Sequence, residues 1–191
     1  MKLVLASQSK YRQALLKQLN LEFTTINPDI DESPYPDEDP TQHVLRLAKA
    51  KALEHAAQFP ESLIIGADIV TILDGKITGK PRDYAEAVKF LQLSSDKVIT
   101  NLTGVCVLNT STGKSLVDMV ATEVKFKSLS TEQIQRYIEK EQPYDNAGAF
   151  RIQSLGITLL EQVSTVDPTA IIGLPLICLT SMLAEFGFAV V

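Results

Sequence analysis

An almost unbroken apolar run from Leu63 to Leu73 constrains this chain more than any other segment. Its sequence, LIIGADIVTIL, is rich in β-branched residues and predicts a long strand. One carboxylate, Asp68, interrupts the run. Because carboxylates are rarely buried without a partner, two interpretations are open. Asp68 is either a structural residue that pairs with a lysine or with backbone groups, or a metal ligand or general base.

Strand and helix patterns alternate along the 191 residues and predict a mixed α/β protein. This length suits one domain, or one domain built from two lobes. Strands are predicted at 2–6, 21–26, 63–73, 76–78, 98–108, 115–126 and 157–163, with a further strand after the last helix. Helices are predicted at 11–19, 40–58, 84–93, 131–140 and 169–186.

Composition excludes several classes of protein. The net charge of −5 argues against broad binding to nucleic acid, which needs a basic surface. The apolar run at the N-terminus is too short for a signal peptide, and Pro175 and Glu185 interrupt the apolar C-terminal stretch, which argues against a membrane span. Cys106 and Cys178 lie in apolar runs that are typical of buried free thiols. We therefore expect a cytoplasmic protein without nucleic-acid or membrane partners.

The first helix carries a cation on its apolar side. Arg12 precedes Leu15 by three positions and lies in the first turn, where the helix dipole disfavours positive charge. One interpretation is an arginine that extends past the apolar stripe into solvent. The other is an anion site, in which Ser7, Ser9 and the free N–H groups of the helix start bind a phosphate and Arg12 completes the contact.

Two lysines are also unusually placed. Lys51 follows Val44 and Leu47 at helical spacing on an apolar face, so it either passes small alanines to reach solvent or points into a cleft. Lys80 lies between Gly79 and Pro81 and is either a plain surface lysine or a cation that these neighbours hold in position.

The loop between the second strand and the second helix is acidic. Asp31 and Glu32 are candidates for binding a divalent cation, whereas most of the run Asp37-Glu38-Asp39 is interpreted as helix capping and solvated charge. The chain has no Walker A, protein-kinase or GxSxG pattern. From the residues alone, the combination indicates metal-assisted phosphate hydrolysis or phosphate binding.

Several segments, in this order, resemble the Maf family of nucleotide pyrophosphatases: LASQSKYRQALL, DIDES, VLRLAKAKA, IIGAD, GKP, AGAFRIQSLG and IIGLPL. The resemblance covers nearly the whole chain and implies one Maf-like domain over residues 1–191. It implies a fold of the Maf/ITPase type, with a mixed central sheet flanked by helices and two lobes around a deep nucleotide-binding cleft. It also implies hydrolysis of a nucleoside triphosphate to the monophosphate and pyrophosphate, aided by Mg²⁺ or Mn²⁺.

The resemblance assigns roles to residues that the charge pattern singles out. Asp68 matches the family's catalytic aspartate, and Glu32 matches the acidic residue that, with Asp68, would bind the metal. The phosphate-binding positions of the family correspond to Ser7, Arg12, Lys51 and Lys80.

Three further positions distinguish subfamilies by the base that they accept, and they correspond to Tyr11, Ile69 and Gln153. Members of the 7-methyl-GTP type usually carry Trp, Gln and Glu there, and members of the dTTP/UTP type Arg, Thr and Gln. Tyr11 can stack on a cationic purine, whereas the amide of Gln153 suits a pyrimidine edge. The rest of the sequence favours the 7-methyl-GTP type. Lys10 stands where the family usually has Pro.

Other functions stay open at this point. A non-catalytic nucleotide-binding regulator of cell division would need the cations but not Asp68, and a general phosphatase would release orthophosphate. Members of the family often form dimers, so a homodimer is one assembly that the resemblance allows.

Overall fold

The computed structural model describes all residues, 1–191, as a mixed α/β fold with seven strands and five helices. The strands are β1 (Lys2–Ala6), β2 (Thr24–Ile26), β3 (Ser62–Leu73), β4 (Lys76–Thr78), β5 (Val98–Asn109), β6 (Ser115–Phe126) and β7 (Leu160–Thr165). The helices are α1 (Lys10–Lys17), α2 (Pro40–Glu54), α3 (Tyr84–Ser94), α4 (Thr131–Glu141) and α5 (Leu176–Glu185).

The strands form one mixed sheet, which confirms the predicted fold class. Its order is β2-β1-β3-β5-β6-β7, and β4 pairs with β3. Strand β1 runs parallel to β2 and to β3, whereas the β3–β4 and β6–β7 pairs are antiparallel. The chain divides into two compact units, of which the first comprises 1–69, 103–120 and 167–191, and the second comprises 70–102 and 121–166.

The core of the first unit is built on β1 and on the part of β3 that pairs with it. Leu5, Leu16, Leu63 and Leu174 are among its fully buried side chains. Helix α2 approaches the sheet closely on the other side of these strands, because a Cβ atom at Gly66 would lie 2.1 Å from the carbonyl oxygen of Ala48. Only glycine permits this approach of helix to strand.

The second unit has its own core, in which α3 and α4 contact each other. The rings of Phe126 and Phe150 meet edge to face, with their centroids 5.4 Å apart. Leu91, Ile99 and Ile138 are fully buried in the same unit.

Most predicted elements are confirmed within a few residues, but the helix predicted at 169–186 begins only at Leu176, after a separate 3-10 turn at Ala170–Ile172. Two strand predictions were also wrong. The strand predicted at 157–163 begins only at Leu160, because Leu155–Leu159 form a 3-10 helix. No strand follows α5, which ends the regular structure at Glu185. Cys106 is a buried free thiol as expected, but Cys178 is only partly buried. None of the helices is both long enough and apolar enough to cross a bilayer.

Candidate active site

The centre of the site is an ammonium group between two carboxylates. The Nζ atom of Lys51 lies 2.7 Å from Oδ1 of Asp68 and 2.6 Å from Oε1 of Glu32. The side chains of Lys51 and Asp68 are only 7% and 9% exposed, whereas that of Glu32 is 60% exposed. Lys51 therefore does not reach solvent, and the carboxylate inside the apolar strand has a buried partner.

The packing of α2 on β3 explains this arrangement. Side chains at positions i and i+2 of a strand lie on the same face, so Asp68 points to the side on which Gly66 receives the helix. The backbone of α2 at Ala48 and Ala52 lies directly against Gly66. Lys51, in the next turn from Ala48, is thereby placed opposite Asp68.

Arg12 and Ser7 form the second part of the site. Ser9 is the N-cap of α1, and its hydroxyl accepts a hydrogen bond from the Arg12 backbone N–H, as predicted. The guanidinium of Arg12 donates from Nη1 to Oγ of Ser7 at 3.3 Å and from Nε to the Gly173 carbonyl at 2.8 Å. Both contacts fix the direction of the guanidinium at the start of the helix.

Electrostatics connect the two parts. Removal of Arg12 from solvent lowers the pKa of its guanidinium, and the nearby carboxylates of Asp68 and Glu32 act in the opposite direction. A guanidinium has five N–H donors and an ammonium has three. After the contacts described above, Arg12 and Lys51 still have N–H donors that can bind phosphate oxygens.

The carboxylates fit a partial metal site. No group of three or more His, Cys, Asp or Glu residues is arranged to hold a metal ion. Glu32 and Asp68 nevertheless both contact the Lys51 ammonium, so two carboxylates lie close to each other. Mg²⁺ is commonly bound by one or two carboxylates together with substrate phosphates and water, so this donor set suits it in a complex with a triphosphate.

The acidic loop is held more firmly than its charge pattern suggests, and Glu38 is the member of the run 37–39 that is not solvated charge. Its side chain is 6% exposed and accepts hydrogen bonds from Nε of Arg46 at 2.6 Å and from Nη2 at 2.7 Å. A nitrogen of His43 lies 2.8 Å from the same carboxylate. Nη2 of Arg46 also donates to the carbonyl of Ser33, the residue after Glu32. This network restrains the segment that carries Glu32.

Tyr11 and Ile69 belong to the first unit. The Tyr11 ring is partly buried, and the ammonium of Lys10 lies 5.3 Å from its centroid, so one face of the ring already has a cation near it. Ile69 is partly exposed in β3, directly after Asp68.

Lys80 and Gln153 belong to the second unit. Lys80 is exposed and lines a cavity of about 260 Å³, together with Pro81, Lys89 and Phe90. Gln153 is exposed in the loop between α4 and β7.

Residues 2–186 match the family described as "Maf-like protein". The chain belongs to the Maf family. The resemblance inferred from seven short segments is therefore confirmed over nearly the entire chain.

This Maf protein is similar along its whole length to proteins named 7-methyl-GTP pyrophosphatase. The one from Alcanivorax borkumensis is 46% identical over 185 residues, which cover 97% of this chain and 94% of that protein. The one from Pseudomonas syringae pv. tomato is 46% identical over 188 residues, which cover 98% of each chain. A solved structure described as a nucleoside-triphosphatase / dITP/XTP pyrophosphatase from Mycobacterium abscessus aligns with 68% of this chain and 76% of that one, at 13% identity and a TM-score of 0.43.

Sequence reasoning missed two supporting contacts of this candidate site. The Gly173 carbonyl that accepts from Arg12 is 161 positions away in the chain, and its backbone φ of 115° is in a region that favours glycine. The only sequence signal is the Gly-Leu-Pro string itself. The pair of Glu38 and Arg46 has no signal of its own, because Glu38 is one of three consecutive acidic residues and Arg46 is one of several cations on α2.

Proposed function

We propose that this Maf protein is a nucleoside triphosphate pyrophosphatase that hydrolyses 7-methyl-GTP to 7-methyl-GMP and pyrophosphate. The observation that carries the proposal is the buried contact of Lys51 with Asp68. Glu32 contacts the same lysine, and both carboxylates interact electrostatically with Arg12. Burying such a pair costs free energy that an apolar contact would not, which favours a functional explanation. The relatives named 7-methyl-GTP pyrophosphatase support the substrate.

The cations bind the triphosphate. Arg12 lies in the first turn of α1, where the helix dipole and free backbone N–H groups favour an anion, and Ser7, just before the helix, accepts a hydrogen bond from its guanidinium. Lys51 offers its remaining N–H group to the same phosphates. Lys80 is assigned as a further phosphate ligand on the basis of the family resemblance.

Asp68 acts as the general base. It accepts a proton from a water molecule as that water attacks the α-phosphorus. A bond forms between the α-phosphorus and the water oxygen, and the bond from the α-phosphorus to the oxygen that bridges to the β-phosphorus breaks. Pyrophosphate leaves, and Arg12 and Lys51 neutralise the negative charge that develops on the phosphates.

Glu32 and Asp68 would hold a divalent cation, Mg²⁺ or Mn²⁺, together with substrate oxygens. When bound, such an ion neutralises phosphate charge and polarises the phosphoryl group. Lys51 keeps the two carboxylates close to each other, which offsets their mutual repulsion.

Base selection is assigned to Tyr11, Ile69 and Gln153. The ring of Tyr11 offers a face for stacking on a purine. A dTTP/UTP-type activity is the second candidate, because Gln153 offers one donor and one acceptor, as a pyrimidine edge requires. Of the two, the similarity to proteins named 7-methyl-GTP pyrophosphatase favours the methylated purine.

The test measures pyrophosphate and orthophosphate separately after incubation with 7-methyl-GTP, GTP, UTP, dTTP or CTP and Mg²⁺ or Mn²⁺. We expect pyrophosphate from 7-methyl-GTP in excess of the others, and no product after chelation of the metal. Lys51→Met should lower kcat by about 10²–10³, the usual effect of removing one preorganised donor to a developing negative charge. Lys49→Met is the matched control, because Lys49 is an exposed lysine on the same helix.

Each alternative gives a different result. Preferred hydrolysis of UTP or dTTP would establish the second candidate. Orthophosphate as the first product would identify a general phosphatase. Nucleotide binding without any product would contradict the enzyme assignment and favour a regulator.

A further inference from the structure

The loop that carries Gln153 is anchored from both sides by one network in the second unit. This loop, residues 151–156, lies between α4 and β7. Gln153 itself is exposed. Its position is therefore determined by the residues that flank it.

Arg151 anchors the first half of the loop. Its Nη1 donates to Oε1 of Glu141 at 2.8 Å, its Nη2 to Oδ1 of Asp145 at 2.8 Å, and its Nε to Oδ1 of Asn146 at 3.2 Å. The side chain of Glu141 is only 4% exposed, at the C-terminal end of α4. All three groups of the guanidinium are thus occupied by the protein.

Glu141 also anchors the second half. Its other oxygen, Oε2, accepts a hydrogen bond from Oγ of Ser154 at 2.8 Å and from the backbone N–H of Leu155 at 2.9 Å. One buried carboxylate therefore holds residues on both sides of Gln153, two positions before it and one and two positions after it.

The backbone closes the same loop. The carbonyl of Arg151 accepts hydrogen bonds from the N–H groups of Ser154 at 3.2 Å and Gly156 at 3.0 Å. A Cβ atom at Gly156 would lie 2.4 Å from that carbonyl oxygen, so the turn requires glycine. The Arg151 N–H donates to the hydroxyl of Tyr137, 3.0 Å away on α4. The chain on either side of Gln153 consequently has little freedom to move.

Charge makes this anchoring specific. A buried carboxylate is stable only where donors satisfy both of its oxygens, and Glu141 has donors on each. An amide in its place would have to turn its NH₂ group either towards the Arg151 guanidinium or towards the Leu155 N–H. Either orientation sets donor against donor and releases one half of the loop.

We propose that Glu141, acting through Arg151 and Ser154, is a positioning residue that fixes Gln153 for recognition of the nucleobase. This inference rests on the proposed function and on the assignment of Gln153 to base selection. A recognition group on a loop needs such support, because small displacements weaken directional hydrogen bonds to the base. The role predicts an effect on the choice of nucleotide, since Glu141 contacts no residue assigned to the phosphates or to the reaction.

The test compares Glu141→Gln with wild type for pyrophosphate release from 7-methyl-GTP and UTP. We expect KM for the preferred nucleotide to rise about tenfold, the loss typical of one charge-assisted hydrogen bond, and kcat to stay within about threefold. The ratio of kcat/KM values for the two nucleotides should fall by a similar factor. Glu139→Gln is the matched control, an exposed glutamate on the same helix, and should leave the ratio unchanged.

A double-mutant cycle separates positioning from a general structural role. In a Gln153→Ala background, Glu141→Gln should have no further effect on the ratio, because the group that it positions is missing. Additive effects of the two substitutions would overturn the inference. The inference would also be overturned if Glu141→Gln folds, as judged by thermal denaturation, and leaves the ratio of kcat/KM values unchanged. An equal loss of kcat on both nucleotides would overturn it as well.

Two further measurements keep the inference testable. If Glu141→Gln does not fold, Ser154→Ala removes only one hydrogen bond to Oε2 and should shift the ratio in the same direction by a smaller factor. If wild type releases no pyrophosphate from any nucleotide, the proposed function fails. Calorimetric Kd values for the two nucleotides then decide the inference: it requires the Kd ratio to change in Glu141→Gln and not in Glu139→Gln.

Discussion

Replacing Asp68 with asparagine is expected to lower both stability and turnover, by amounts that can be measured separately. The substitution keeps the shape of the side chain and removes its charge. In the native protein that charge lies 2.7 Å from the ammonium of Lys51, and both side chains are more than 90% buried. The Asp68→Asn substitution would leave Lys51 with Glu32, which is 60% exposed, as its remaining carboxylate partner at 2.6 Å.

The structure sets the size of the loss. Removal of one partner from a buried ion pair costs about 3–5 kcal/mol when the other charge is left uncompensated. Because Glu32 still neutralises Lys51 in part, we expect about 2–3 kcal/mol. For a chain of this size each kcal/mol shifts Tm by about 2–4 °C, so the expected decrease is about 4–12 °C. Loss of the general base should lower kcat by about 10²–10⁴.

Calorimetric unfolding and steady-state pyrophosphate release measure the two effects. Asp74→Asn is the matched control, since Asp74 lies just after the same strand and contacts Lys97 at 2.6 Å with both side chains largely exposed. An exposed pair contributes less than about 1 kcal/mol. Equal Tm shifts for both variants would refute the importance of burial, and wild-type turnover in Asp68→Asn would refute its role as the base.

Two further predictions concern the packing and the acidic loop. Gly66→Ala would place a Cβ atom 2.1 Å from the Ala48 carbonyl oxygen, so we expect it to lower the free energy of unfolding in urea by about 3 kcal/mol or more. Gly79→Ala is the control, because the space around its Cβ is open. Equal urea midpoints for the two variants would contradict the close contact at Gly66. The hydrogen bonds from Arg46 hold the pKa of Glu38 well below its ordinary value of 4.5. The ionised carboxylate therefore contributes stability that is fully present above pH 4.5 and is lost as the pH falls towards the lowered pKa. Tm of wild type should decrease with acid over this range more steeply than that of Glu38→Gln, and parallel curves would show that the pair contributes nothing.

The order of the elements follows from local chemistry that is visible in the sequence. Ser9, Asp39 and Ser130 each cap the helix that follows, because their side-chain oxygens accept from backbone N–H groups of the first turn. The predicted strands 2–6, 76–78 and 115–126 agree with the structure at both ends.

Prediction was weaker where contacts distant in sequence decide the conformation. Residues 155–159 have the composition of a strand, yet they form a 3-10 helix whose N-terminal side is held by Glu141. Glu38 is one of three consecutive acidic residues, and nothing in that run indicates that it alone is buried by Arg46 and His43.

The sequence by itself determined which residues are out of place: a carboxylate in an apolar strand and cations on apolar helix faces, at Asp68, Lys51 and Arg12. Burial of an unpaired charge is costly, so each of them required a partner. Only the tertiary structure decided which residues are those partners. The packing of α2 on Gly66 places Lys51 opposite Asp68, and the turn at Gly173 brings a carbonyl to Arg12. Local sequence patterns show that a buried charge needs a partner, and long-range packing determines which atoms pair with it.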